Sequence, residues 1–130
     1  MIIKNFKYSR EMLDVKQKDI AELFNVHFST VSGWETGKDT ISIERLVDYA
    51  NHYNYSLDYL FEIKNYNEEY LPLTLDFNLI AHNLKILRKK NNYTQEKLAK
   101  KLNTNQASYA HYENATNMIP TVFLYNLTTI

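Results

Sequence analysis

Gln17–Glu35 reads QKDIAELFNVHFSTVSGWE, and the fold is decided there. Gln17–Phe24 and Phe28–Glu35 are short amphipathic segments separated by a three-residue break, Asn25–His27. Each is too short to hold a helix in water alone, so both require tertiary packing. Ile20, Phe24, Val31 and Trp34 fall at i, i+3 and i+4 spacings and predict one shared core face. Ala21 is small enough for two helices to cross closely. Phe28, Ser29, Thr30, Ser32 and Gly33 remain for the outer side of the second segment.

The stretch recurs 78 residues later, where Gln95–Glu113 reads QEKLAKKLNTNQASYAHYE. At that offset Arg10 meets Arg88, Gln17 meets Gln95, Ala21 meets Ala99, Asn25 meets Asn103 and Glu35 meets Glu113. Apolar character is kept at Ile20 and Leu98, Phe24 and Leu102, Val31 and Tyr109, and Trp34 and Tyr112. Two copies of one supersecondary unit, helix, tight turn and helix, explain this most economically. The pattern Arg-x6-Gln-x3-Ala-x13-Glu, with an aromatic before the Glu, resembles the lambda-repressor/Cro-type (XRE) helix-turn-helix family of DNA-binding regulators. The resemblance covers Lys4–Phe61 and again Ile80–Ile130. It implies an all-α chain of two small lambda-repressor-like helical domains, each with a helix-turn-helix, joined by a linker.

Composition agrees with that class. The 130 residues include only 2 Gly and 2 Pro, which suits helices joined by short turns, and no segment shows sustained period-two alternation. With no Cys, disulfides and Cys-based zinc sites are excluded. No apolar run is long enough for a membrane span, and Met1–Ile3 followed by Lys4 and Lys7 does not make a signal peptide. The expectation is a soluble, cytoplasmic protein without a membrane partner. Net charge is +0, yet residues 1–77 hold 8 Lys+Arg against 13 Asp+Glu, and residues 78–130 hold 7 against 2. The halves thus carry −5 and +5, which gives the second copy the better electrostatics for a polyanion.

Three segments are expected: a first domain over residues 1–62, a linker over 63–75 and a second domain over 76–130. Lys4–Leu13 forms the first helix, with Phe6 and Leu13 as apolar contacts. Gly37 stops the helix before it, Ser42 caps Ile43–Tyr53, and Ser56 starts Leu57–Phe61. The linker's Tyr66, Tyr70, Leu71 and Leu73 are too apolar for a free tether and suggest docking on one domain. Asp76 caps Phe77–Lys90, in which Leu79, Leu84, Ile86 and Leu87 supply apolar surface. Ala115 stands where the first copy has Gly37, so Asn114 or Asn117 is expected to take the left-handed conformation there. The second copy lacks counterparts of Tyr53–Phe61; truncation is the preferred explanation, with cover from another chain as the alternative.

The resemblance also assigns roles. Arg10–Glu35 and Arg88–Glu113 are structural pairs that fix helix against helix. Gln17 touches a DNA phosphate, and Phe28, Ser29, Thr30, Ser32 and Gly33 face the major groove, with Lys38 in the following loop. That face holds no Arg, Asn or Gln for two-point reading of a base, so Phe28 is open to a protein interface instead. In the second copy Gln95 and Gln106 cooperate on an adenine, Ala107, Ser108, His111 and Asn114 complete the face, and Lys97 and Lys100 meet phosphates with Lys89, Lys90 and Lys101. Thr94 and Asn105 cap the two helices. The implied partner is double-stranded DNA, with a homodimer possible, and the implied activity is sequence-specific transcriptional regulation, as a repressor. The alternative is an interaction or dimerisation protein, antitoxin-like for example, whose first copy binds protein while only the second binds DNA. An enzyme is not indicated. His27, His52, His82 and His111 lack metal-ligand spacing, no Gly-rich phosphate loop is present, and no cofactor or small-molecule ligand is implied.

Overall fold

The computed structural model describes residues 1–68 and 72–130; Glu69, Tyr70 and Leu71, in the expected linker, lie outside the described residues. Those residues form helices and turns without a strand: α1 Lys4–Met12, α2 Gln17–Phe24, α3 Phe28–Thr36, α4 Ile43–Tyr53, α5 Leu57–Leu60, α6 Phe77–Lys90, α7 Gln95–Lys101, α8 Gln106–Glu113 and α9 Thr121–Leu127. The chain divides into two compact units, Met1–Leu73 and Thr74–Ile130.

In the first unit α2 packs on α3 and α1 on α3 and α5. Ile20, Val31 and Trp34 are buried as their spacing requires, Phe24 is half-buried, and Ala21 is buried beside them. Trp34 meets the edge of Phe24 at 5.9 Å and of Phe6 at 6.2 Å, favourable T-shaped contacts. Tyr49 from α4 lies 4.7 Å from Phe6, and its hydroxyl pairs with the buried Ser9 hydroxyl. Burial dominates that phenol and drives its pKa well above the ordinary tyrosine value. Leu46, Val47, Ala50 and Leu60 complete the core. Leu13 does not join it; the helix ends one residue earlier and Leu13 is exposed at its C-cap. Ser42 and Ser56 accept from the third backbone N–H of their helices, at 3.3 and 3.1 Å. Beyond α5, Asn67 bonds both Ser56 N and the Asn54 carbonyl, and Asn51 exchanges two bonds with the Leu73 backbone.

The second unit repeats this plan. Leu98, Ala99, Leu102 and Tyr109 form its core cluster, with Tyr93, Tyr112, Phe123 and Leu127 packed against it. Asp76 Oδ1 accepts from Asn78 N and Leu79 N and starts α6. On α6 only Ala81 and Leu84 are buried, while Leu79, Ile86 and Leu87 are exposed. Where the first unit has Ser9 and Tyr49, the second has Leu87 and Leu127, and a cleft of about 240 Å³ opens between them.

The turn inside each helix pair has one construction. Asn25 and Asn103 adopt φ of 53° and 60°, the left-handed region that asparagine tolerates. The next residue then closes the turn, Val26 N onto the Ala21 carbonyl and Thr104 N onto the Ala99 carbonyl, each at 2.9 Å. The turn after Glu113 corrects an expectation. Ala115 itself takes φ 59°, not Asn114 or Asn117, because Thr116 N and Asn117 N both reach back to the His111 carbonyl. Gly37 holds the same place at φ 84°.

Candidate nucleic-acid interface

A short surface helix can present its outer side only if its inner side is fixed. In the first unit Arg10 Nε and Nη2 donate to the two carboxylate oxygens of Glu35 at 2.6 and 2.8 Å, and Nη1 donates to the Val15 carbonyl at 2.9 Å. In the second, Arg88 makes the same fork to Glu113 at 2.8 and 3.1 Å and donates to the Tyr93 carbonyl at 2.9 Å. One guanidinium thus ties the first helix of a unit, the loop after it and the last turn of the outer helix. The planar fork of arginine suits this, and lysine would not. The carboxylate side chains of Glu35 and Glu113 are each only 2% exposed.

The electrostatics follow from that burial. Hydrogen bonding to the carboxylates raises the pKa of both arginines against the opposing effect of desolvation. Burial works to raise the Glu113 carboxyl, but the donors around it, Arg88 foremost, outweigh burial and hold it below the ordinary glutamate value. The Tyr109 hydroxyl is buried beside this carboxylate without a well-formed hydrogen bond, and desolvation pushes its pKa upward.

Gln17 and Gln95 open α2 and α7. Their amide nitrogens donate to Glu35 and Glu113 at 3.1 and 3.4 Å. Each glutamine is therefore tied to the clamp of its own unit, a link that the sequence interval of 18 residues shared by both pairs signals only in retrospect. The Val15 and Tyr93 carbonyls of the clamp leave no side-chain signature at all.

On α8, Gln106, Ala107 and His111 are exposed and Ser108 is half-buried, and Asn114, the C-cap, is exposed. Asn105 Oδ1 accepts from Ser108 N at 2.8 Å and fixes the start of this helix. Lys97 and Lys100 are exposed on the neighbouring α7, whose cap is Thr94, accepting from Lys97 N at 3.1 Å. Lys101 leans over the Tyr93 ring at 5.4 Å instead. The predicted polar face and its lysines are therefore on two packed helices of one unit.

On α3, Phe28 is 55% exposed and lies against the His27 ring, tilted by 35° at 4.5 Å between centroids. His27 caps the helix, its Nδ1 accepting from Ser29 N at 3.2 Å. Ser29 and Lys38 are exposed, and Thr30 and Ser32 half-buried. Gly33 departs from its expected place on the outer face. It is buried under the Lys38–Asp39 loop, whose Asp39 N bonds the Gly33 carbonyl at 3.1 Å.

Among the described residues no three His, Asp or Glu side chains gather as a metal site, and no helix is long and apolar enough to cross a membrane. A model of the helix-turn-helix family matches residues 6–60 and again residues 84–127, which is well over half of the chain. No curated protein and no solved structure was found to match it. Two clamped helix pairs, each inside one of the matched regions, show that the chain belongs to the helix-turn-helix family of DNA-binding regulators, in its lambda-repressor/Cro (XRE) type, with two copies of the unit in tandem.

Proposed function

We propose that the protein is a sequence-specific transcriptional repressor, non-enzymatic and cytoplasmic, that reads double-stranded DNA chiefly through its second unit. One observation carries this reading: α8 and its C-cap gather the exposed Gln106, Ala107, His111 and Asn114, with the half-buried Ser108, on a helix anchored from behind by Arg88 and Glu113. Glutamine matches adenine by a two-point hydrogen bond in the major groove, and the small Ala107 admits a thymine methyl. Gln95, held by Glu113, is the proposed brace for Gln106. Lys97 and Lys100 contact phosphates and give the affinity its salt dependence.

The test is a selection of bound sequences from random duplexes, repeated with Gln106→Ala. The variant loses about 1–3 kcal/mol of discrimination at one base pair and little elsewhere. A uniform loss across all sequences overturns direct readout by Gln106.

In the first unit the proposed DNA contacts are Gln17, Phe28, Ser29, Thr30, Ser32 and Lys38. The exposed Phe28 and the −5 balance of residues 1–77 favour a second reading there, in which α3 docks a protein partner. Gel shifts of the whole chain separate the two. If Phe28→Ala with Thr30→Ala leaves DNA affinity unchanged while Gln106→Ala lowers it, the first unit is the protein-binding one.

A further inference from the structure

The surface of α8 carries no permanent charge. Tyrosines apart, residues 106–130 hold two ionisable side chains, His111 and Glu113. Glu113 is forked by Arg88 with its side chain 2% exposed, so it offers no charge to solvent. The matching stretch of the first copy, residues 28–52, carries Lys38, Asp39, Glu44, Arg45 and Asp48. Their counterparts are Thr116, Asn117, Val122, Phe123 and Asn126, all neutral. The charge of the outer side of α8 is therefore decided by one group, the His111 imidazole.

His111 stands where the first copy has the buried Gly33, yet it is exposed in the last turn of α8. It lies four residues after Ala107 and three before Asn114, which is one side of the helix. Its carbonyl accepts from Thr116 N at 3.0 Å and Asn117 N at 3.2 Å, which pins the backbone that carries the ring. Helices α7 and α6 pack against α8. From α7 come Lys97, Lys100 and Lys101, with Glu96 in its first turn. From α6 come Arg88, committed to Glu113, and His82, Lys85, Lys89 and Lys90. The loop after α8 and the helix α9 bring no charged group. A proton on His111 thus adds to a basic surface and does not cancel an acid on its own helix.

Imidazole is the side chain that gains and loses its charge between about pH 5 and 8. Neutral, it has one donor and one acceptor nitrogen; protonated, it donates from both. A duplex presents phosphate oxygens and the N7 and O6 acceptors of guanine, and nearby negative charge favours the protonated ring. With α8 as the DNA-facing helix, the reading on which this rests, we infer that DNA recognition is proton-linked through His111. The chain takes up a proton there on binding, and the imidazolium donates to an acceptor on the duplex. Affinity then rises as pH falls through the neutral range. One more positive charge against the duplex steepens the dependence of log affinity on log salt by about 0.9, worth about tenfold at ~0.1 M salt.

Binding is measured with the full chain, on a random pool of duplexes and on those selected from it, at about pH 5.5 and about pH 8. The native chain binds about tenfold tighter in acid and with the steeper salt slope, and His111→Gln, neutral at both, loses this gain. His111→Lys, charged at both, keeps the steeper slope throughout. Calorimetry in two buffers of different ionisation heat shows proton uptake by the native chain and its loss in His111→Gln. An acid gain equal on all duplexes puts the imidazolium on a phosphate; a gain confined to duplexes with guanine at one position puts it on a base edge. A gain that survives His111→Gln, or no gain in the native chain, overturns the proton link. If Gln106→Ala still alters sequence preference in that case, the reading of α8 stands without it. A chain indifferent to sequence and to both substitutions loses the two together.

Discussion

Replacing Arg10 with alanine removes three hydrogen bonds at once, two to Glu35 and one to the Val15 carbonyl. Glu35, with its side chain 2% exposed, keeps Gln17 at 3.1 Å but loses its counter-charge. Breaking a buried pair from one side in this way costs about 3–5 kcal/mol. A unit the size of Met1–Leu73 has a total stability of about 4–11 kcal/mol at ~0.05–0.15 kcal/mol per residue, so Arg10→Ala removes between about a quarter and all of it. The assay is built in. Trp34 is the only tryptophan, buried between Phe6 and Phe24, so its fluorescence in a urea titration follows the first unit. Replacing both partners, Arg10→Met with Glu35→Leu, restores most of the loss because neither charge is then left buried. A cost under about 1 kcal/mol for Arg10→Ala would put the pair in the class of surface ion pairs and refute its role as the clamp.

Three further outcomes are expected. Ala115→Gly relieves a left-handed alanine and stabilises the second unit by about 1 kcal/mol in thermal melting, whereas Gly37→Ala, whose new Cβ would lie 2.9 Å from Ile2 Cγ1, destabilises the first; equal effects of one sign would contradict the backbone argument. The Glu113 carboxyl has a lower pKa folded than unfolded, so its stabilisation is full at neutral pH and disappears as pH falls through the folded value. The melting-temperature gap between the native chain and Glu113→Gln should accordingly close in acid, and a pH-independent gap would count against this. Lys100→Ala should lower the slope of log affinity against log salt by about one ion without altering sequence preference; an unchanged slope removes Lys100 from the phosphate contacts.

The helix pairs were legible because their signal is periodic and doubled. Ile20, Val31 and Trp34 declare a common buried side, and the offset of 78 residues lets each copy vouch for the other. Caps were legible too, since Ser42, Ser56, Asp76, Thr94 and Asn105 act through local bonds to the next backbone N–H groups. Features set by distant packing were not. Leu13 looks like one more apolar residue on α1 and is excluded from the core because the helix has already ended. Gly33 falls on the outer side by helical phase, but the loop after α3 folds over it, which no local pattern announces. Ala115 shows that a carbonyl in want of donors, here that of His111, can outweigh residue preference for a left-handed turn.

The duplicated clamp has a consequence for how this protein can change. Arginine, glutamate and the receiving carbonyl sit alike in both halves, whereas the outer positions of α3 and α8 and their C-terminal ends differ: Phe28 against Gln106, Ser29 against Ala107, Thr30 against Ser108, Thr36 against Asn114. Scaffold and proposed contact surface are thereby decoupled, and substitutions can alter the second while the first stays fixed. Grafting the exposed side chains of α8 onto α3 is then an exchange of inscription on an unaltered plate, and a chain so edited would carry the same message twice.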